Sequence, residues 1–197
     1  SALSRRAFGW RFLYTQAWDP VAGEFGAAPF VYGTLVTSAL ALALAVPLGI
    51  GASVFLAELA PRRISDAITV LIELLAAVPS IVYGLIGLSV LVPLMRHYVE
   101  PSVQSVAGWM PLLSGPIYDV GYLTAAVVLA IMIVPFIVSV VREVLLAVPR
   151  EQREAALALG ATRWESTFRV VLPFARAGIF GGAMLALGRA LGETMAV

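Results

Sequence analysis

The chain has 197 residues, 60% of them hydrophobic and 13% charged, with a net charge of +1 and a mean hydropathy of +0.94. That balance excludes an ordinary soluble domain and describes an integral membrane protein, and so small a net charge gives no reason to expect a nucleic acid partner. The absence of cysteine excludes disulfides, thiol catalysis, iron–sulfur clusters and cysteine zinc sites, and the single His97 leaves little room for a metal centre.

Residues 1–29 mix Trp10, Phe12, Tyr14 and Trp18 with arginine, Asp19, Pro20 and Gly26. This is the composition of a membrane–water interface, and an interfacial helix followed by a loop is expected there. No continuous apolar run follows Arg5, Arg6 and Arg11, so the segment does not read as a signal peptide. Residues 30–57 form the first span, roughly 42 Å of helix against a hydrocarbon core of roughly 30 Å, and Pro47, Gly49 and Gly51 predict a kink in its second half. A polar link over 58–67 carries Pro61, Arg62, Arg63 and Asp66. The second span is expected over 68–95 and contains Glu73, Pro79, Ser80, Tyr83, Gly84 and Gly87. After a loop over 96–120 with Trp109 and Tyr118, the third span covers 121–148 with Pro135 in its middle, and the last covers 174–197.

Between the last two spans lies a charged stretch, 149–173, that parses into two short helices. Residues 151–159 are rich in Ala, Leu, Glu and Arg, Gly160 suits the left-handed conformation that ends a helix, and Thr162-Arg163-Trp164-Glu165 is a capping box that starts the next. Pro149 and Pro173 are expected to keep this unit from fusing with the apolar helices on either side. If the stretch faces the cytoplasm, Arg62, Arg63, Arg142, Arg150, Arg153, Arg163, Arg169 and Arg176 lie inside, against Arg5, Arg6, Arg11 and Arg96 outside. The excess inside favours this orientation and leaves residues 1–29 on the outer face. No internal repeat is evident.

Several residues are candidates for function. Arg189 and Glu193 are spaced i,i+4 on the last span and are therefore expected on one helix face. An arginine within a span is costly and usually faces protein or water, and its planar fork of donors suits an oxyanion; a self-neutralising structural pair is the alternative. Glu73 is either a second acid on the path or an interfacial residue bonded to a loop arginine. At Pro79-Ser80 the helix is either plainly kinked or broken so that freed backbone groups line a cavity, with Tyr83 nearby as a donor or as packing. Gly178 with Gly182, and Gly188 with Gly192, are small-xxx-small pairs that let another helix approach closely. Nucleotide-binding loops and zinc-hydrolase motifs are absent, so any ATP and Mg would be bound by another subunit.

Glu154-Ala155-Ala156, Gly160-Ala161, Arg163, Val170 and Leu172-Pro173 together resemble the EAA motif of the membrane subunits of bacterial ABC importers, with Val170 where isoleucine is usual. WDPVAGEFG (18–26), YGTLVTS (32–38), ELLAAVPSIVYGLIGL (73–88) and GRALGETMAV (188–197) are similar to the phosphate permeases of that family. The resemblance implies an all-α polytopic bundle of the ABC importer permease type in the bacterial inner membrane. It also implies a second permease subunit, a cytoplasmic ATPase dimer that carries the ATP and Mg, and a periplasmic phosphate-binding protein, with the chain itself holding no cofactor. The helices around Gly160 would then couple to the ATPase. Such permeases have about six spans, so further spans are expected before Ser1 and after Val197. Transport of another oxyanion, molybdate or sulfate, and a membrane scaffold without transport are the alternatives.

Overall fold

A computed structural model describes residues 26–95 and 121–193, together with residues 12, 14–16 and 97. The interfacial helix expected within 1–29, most of the 96–120 loop and the last four residues of the terminal motif lie outside the described residues. The described chain is helical except at its corners. Its elements are α1 (Ala28–Leu59), α2 (Arg62–Ala76), α3 (Ser80–Leu94), α4 (Tyr122–Leu146), α5 (Arg150–Ala158), α6 (Arg163–Ser166) and α7 (Leu172–Leu191). Within α3, a π-helical turn, Gly87–Leu91, separates Ser80–Ile86 from Val92–Leu94.

α4 is the axis of the bundle. Of its most apolar window 67% is buried, against 33% for α1 and 22% for the helix that ends at Leu191. Leu129, Met132, Ile133, Ile137, Val141 and Leu145 are almost fully enclosed along it. The helices around it are matched to its surface by missing side chains. A Cβ at Gly49 of α1 would lie 2.5 Å from Ile137 Cγ2, one at Gly87 of α3 2.8 Å from Val128, and one at Gly178 of α7 2.5 Å from Val144. Small residues at helix contacts are the usual means of tight packing in lipid, where no hydrophobic driving force separates helix from solvent.

These contacts fix the direction of every helix. Gly33 lies at Tyr122 and Gly49 at Ile137, so α1 and α4 run parallel. Gly178 lies at Val144 and Gly182 at Val140, so α7 runs antiparallel to both. Arg142 Nη2 of α4 donates to Ser65 Oγ of α2 at 3.5 Å, whereas Gly87 of α3 lies at Val128, about 21 Å away along α4 at 1.5 Å per residue. The bent pair α2–α3 therefore climbs along α4 and does not fold back on the side it came from.

The stretch expected as one span over 68–95 begins earlier, at Arg62, and breaks at Ala76; helix resumes at Ser80, turned by 90°. This is an elbow, larger than a proline kink. Pro79 has no N–H, its ring excludes the α conformation at Val78, and its own ψ of 137° starts α3 in a new direction. The corner between α4 and α5 has the same design. Glu73, Ala77, Val78 and Pro79 correspond to Glu143, Ala147, Val148 and Pro149. At both, the alanine N–H reaches the glutamate carbonyl, at 3.1 and 3.0 Å, and the valine N–H reaches a leucine carbonyl, at 3.1 and 3.3 Å.

Pro173, in contrast, does not stop the charged unit from fusing with the last span. Arg163–Leu191 is one continuous helix of 29 residues. Directly before Pro173 lies a π-helical turn, Thr167–Val171, closed by the Leu172 N–H onto the Thr167 carbonyl. A proline ring clashes with the carbonyl four residues back, and a widened turn moves that carbonyl row out of register. The same arrangement recurs at Gly87–Leu91 before Pro93 and at Phe55–Leu59 before Pro61, each proline standing two residues beyond its π turn.

The packing predicts a contrast between two glycines of α1. Gly49→Ala should destabilise the bundle by about 1–3 kcal/mol, the usual cost of overpacking, because the fully buried Ile137 has little room to withdraw from the added Cβ. Gly51→Ala, with nothing within 4 Å, should be neutral or slightly stabilising. Thermal unfolding in detergent measures both; equal midpoints for the two variants would remove the close approach as a constraint.

Candidate functional site

One end of the molecule is built from α5, α6 and the corners beside them. α5 ends as the sequence predicts. Gly160 has φ +87°, the Ala161 N–H bonds the Ala156 carbonyl at 3.1 Å and the Gly160 N–H bonds the Leu157 carbonyl at 3.0 Å. This double closure is the Schellman arrangement, available at low cost only to glycine. Two residues on, the Thr162 side chain accepts from the Glu165 N–H at 3.2 Å and the Thr162 N–H donates to Glu165 Oε2 at 2.9 Å, completing the capping box. The hydrogen bond from the Thr162 backbone, then that from its side chain, holds the Glu165 carboxyl below its ordinary range.

Glu154, Ala155, Gly160 and Arg163 are exposed, while Ala156 and Ala161 are half-buried under the Schellman closure. Leu172 is half-buried and Pro173 exposed, both in the first turn of α7. Around these residues is an apolar surface that the motif did not announce. Leu159 is 90% exposed at the tip of the turn, and Trp164 and Phe168 are exposed and in tilted contact, 4.3 Å between ring centroids. Large apolar groups presented this openly, next to charged ones, mark a protein contact surface.

Arg153 is the residue that sequence reasoning missed. It counted only as one of the inner-face arginines, yet its Nη2 lies 2.7 Å from Glu58 Oε1 at the end of α1 and 2.7 Å from the Leu145 carbonyl of α4, and its Nη1 donates to the Val148 carbonyl. Both side chains are mostly enclosed, at 20% and 11% exposed. Arg142 performs a similar service one level deeper, donating to Ser65 Oγ and lying 3.9 Å from Asp66, while Ser65 Oγ donates to the Leu56 carbonyl at 2.8 Å. A signal was available: an arginine one turn into a helix that follows a proline corner has the last carbonyls of the preceding helix within reach.

The four path candidates fall in two places. Arg189 lies in the last turn of α7, about 25 Å from Leu172 along the axis, half-buried, with its guanidinium carbon 5.4 Å from the centre of the Phe136 ring of α4. Glu193 does not share a helix face with it. α7 ends at Leu191, and Gly192 caps the end by turning its N–H onto the Gly188 and Ala190 carbonyls, so Glu193 stands beyond the helix. Two glycines four residues apart weaken the last turn enough to end it before the i,i+4 pairing forms. Glu73, exposed, and Ser80, half-buried, flank the α2–α3 elbow. Among the described residues no hydrogen bond or ion pair joins Arg189 to Glu73 or Ser80. Of the paired glycines, Gly178 and Gly182 face α4, whereas a side chain at Gly188 would meet open space.

Residues 45–197 match a family described as the binding-protein-dependent transport system inner membrane component. The chain is 51% identical over 194 residues to the phosphate transport system permease protein PstC of Mesorhizobium japonicum, covering 96% of this chain and 59% of that protein. It is 48% identical over 193 residues to the PstC protein of Xylella fastidiosa strain Temecula1, covering 96% and 60%. Against the PstC protein of Haemophilus influenzae it is 48% identical over 198 residues, covering 98% and 63%. The chain thus spans about three-fifths of the length of these relatives. With its all-helical bundle and a family match over most of its length, the chain belongs to the binding-protein-dependent transport system inner membrane components, the permease family of ABC importers.

Proposed function

We propose that this chain is a membrane-spanning permease subunit of an ATP-driven importer that moves inorganic phosphate across the bacterial inner membrane by alternating access. The observation that carries the reading is the 51% identity over 96% of the chain to a protein named as a phosphate permease. It is a transport subunit and not an enzyme: ATP and Mg belong to a separate cytoplasmic ATPase dimer. A second permease subunit completes the pathway, and a periplasmic phosphate-binding protein delivers the anion. The large outward residues of α7, Phe174, Phe180, Met184 and Leu185, are those that the second permease subunit or lipid would cover.

Residues 149–173 face the cytoplasm in this reading, and residues 1–29 the periplasm. Glu154, Ala155, Ala156, Gly160, Ala161 and Arg163 form the element that seats in the ATPase, Leu159 and Trp164 supply its apolar contact, and Leu172 and Pro173 carry the movement into α7. A rigid-body displacement needs a stiff turn, and the Schellman closure at Gly160 supplies one. Arg189 is the anion ligand proposed for the path. Its fork of donors matches phosphate, and its hold on Phe136 is a weak cation–π contact that an anion can displace. Glu193, Glu73 and Ser80 are the other polar groups assigned to the path.

Two outcomes test this. Arg189→Ala in the intact importer should lower labelled phosphate uptake at least about tenfold, the loss expected for one charge-assisted contact, with normal amounts of protein in the membrane; unchanged uptake and affinity would remove Arg189 from the path. Gly160→Val forces a branched side chain into a left-handed turn at a cost of about 1–2 kcal/mol or more. It should abolish phosphate-stimulated ATP hydrolysis while leaving insertion intact, and normal stimulation would show that the turn does not couple.

A further inference from the structure

The two proline elbows carry the same strap. At the first, the Tyr83 hydroxyl, four residues after Pro79, donates to the carbonyl of Leu75, four residues before it, at 2.8 Å. At the second, Arg153 Nη2, four residues after Pro149, donates to the carbonyl of Leu145, four residues before it, at 2.7 Å. In each case a side chain from the first turn of the new helix folds back across the corner onto an end carbonyl of the old one. The second strap has more strands. Arg153 Nη1 also takes the Val148 carbonyl, and Nε lies 3.2 and 3.3 Å from the two oxygens of Glu58.

α5 needs such a tie. It buries none of its nine residues, and its N-cap, Pro149, offers no side-chain hydrogen bond. Among the described residues Arg153 makes the only side-chain hydrogen bonds from α5 to the rest of the chain. Without it, a push on α5 turns the helix about the backbone of Val148 and Pro149. With it, α5, the end of α4 and the end of α1 are one body, and Ser65 and Arg142 extend that body to the start of α2.

We infer that Arg153 is a positioning residue that locks the α4–α5 elbow and, through Glu58, carries a displacement of α5 into the inner ends of α1 and α4. The inference rests on the reading of α5 as the ATPase-docking element. Arg153 points away from the docking surface, and it acts on the anion path only through the helices it ties.

The test uses the complete importer, both permeases, the ATPase dimer and the binding protein, in vesicles, and reads phosphate taken up per ATP hydrolysed. A residue needed only for assembly lowers uptake and hydrolysis together and leaves that ratio alone. Arg153→Gln should lower the ratio at least about tenfold, because the neutral amide cannot hold Glu58 and two carbonyls at once. A second variant removes dependence on how well the first one folds. In a cysteine-free importer, Glu58→Cys with Arg153→Cys should show the same low ratio, and a short bifunctional thiol reagent that bridges α1 to α5 should raise it severalfold. The same reagent should do nothing to either single variant. A wild-type ratio in Arg153→Gln, or no gain on bridging the pair, overturns the inference. Failure of the docking reading is seen in Gly160→Val instead: phosphate-stimulated ATP hydrolysis at the wild-type rate in that variant removes α5 and its turn from the ATPase contact, whatever Arg153→Gln does.

Discussion

In a bilayer two apolar helices gain little from leaving lipid, so what holds this bundle together is how closely backbones can lie along α4. Gly49, Gly87 and Gly178 are placed where three helices reach that distance, and each would collide with a branched side chain of α4 if it carried a Cβ. Branched valine and isoleucine are stiff at χ1, so they offer a fixed relief for the glycines to fit. The polar network around Arg142 and Ser53 depends on this fit. Arg142 reaches Ser65, and Ser53 Oγ donates to the Val138 carbonyl at 3.3 Å, only because the helices are already that near.

Proline plays two opposed parts around this axis. At Pro93 and Pro173, each two residues beyond a π turn, the helix continues through the proline, whereas at Pro61, also two residues beyond one, it ends. At Ala77-Val78-Pro79 and Ala147-Val148-Pro149 the helix ends and a new one leaves in another direction, whereas Ala45-Val46-Pro47 stays inside α1. In apolar surroundings each lost N–H leaves a carbonyl that must be satisfied by something else, and straps, caps and widened turns are the three answers found here.

The sequence revealed the class of protein and the whole of the Gly160 turn, because those depend on composition and on local chemistry within a few residues. The capping box and the positive φ of glycine are of that kind. Pro173 and Pro79 were less legible. A proline pattern states that an N–H is missing, but the π turn that accommodates one and the 90° elbow that follows the other are settled by packing on α4. The pairing of Arg189 with Glu193 was misjudged for a related reason, since spacing was taken as helix while two glycines ended it. Arg153 and Glu58 are 95 residues apart, and a contact so distant leaves no trace in one sequence. The Leu159 and Trp164 surface was readable only as apolar residues in a polar stretch.

The straps at the two elbows have an evolutionary consequence. Each joins residues only eight apart, four before the proline to four after, and so the angle of each corner is written into a single short segment. At the first corner neighbouring helices can then drift in sequence without the corner having to be redesigned; at the second, Glu58 of α1 is the one distant residue that must be kept. Such a segment can be inherited as a module, and its appearance at positions 79 and 149 of one chain is what reuse of a module would leave behind.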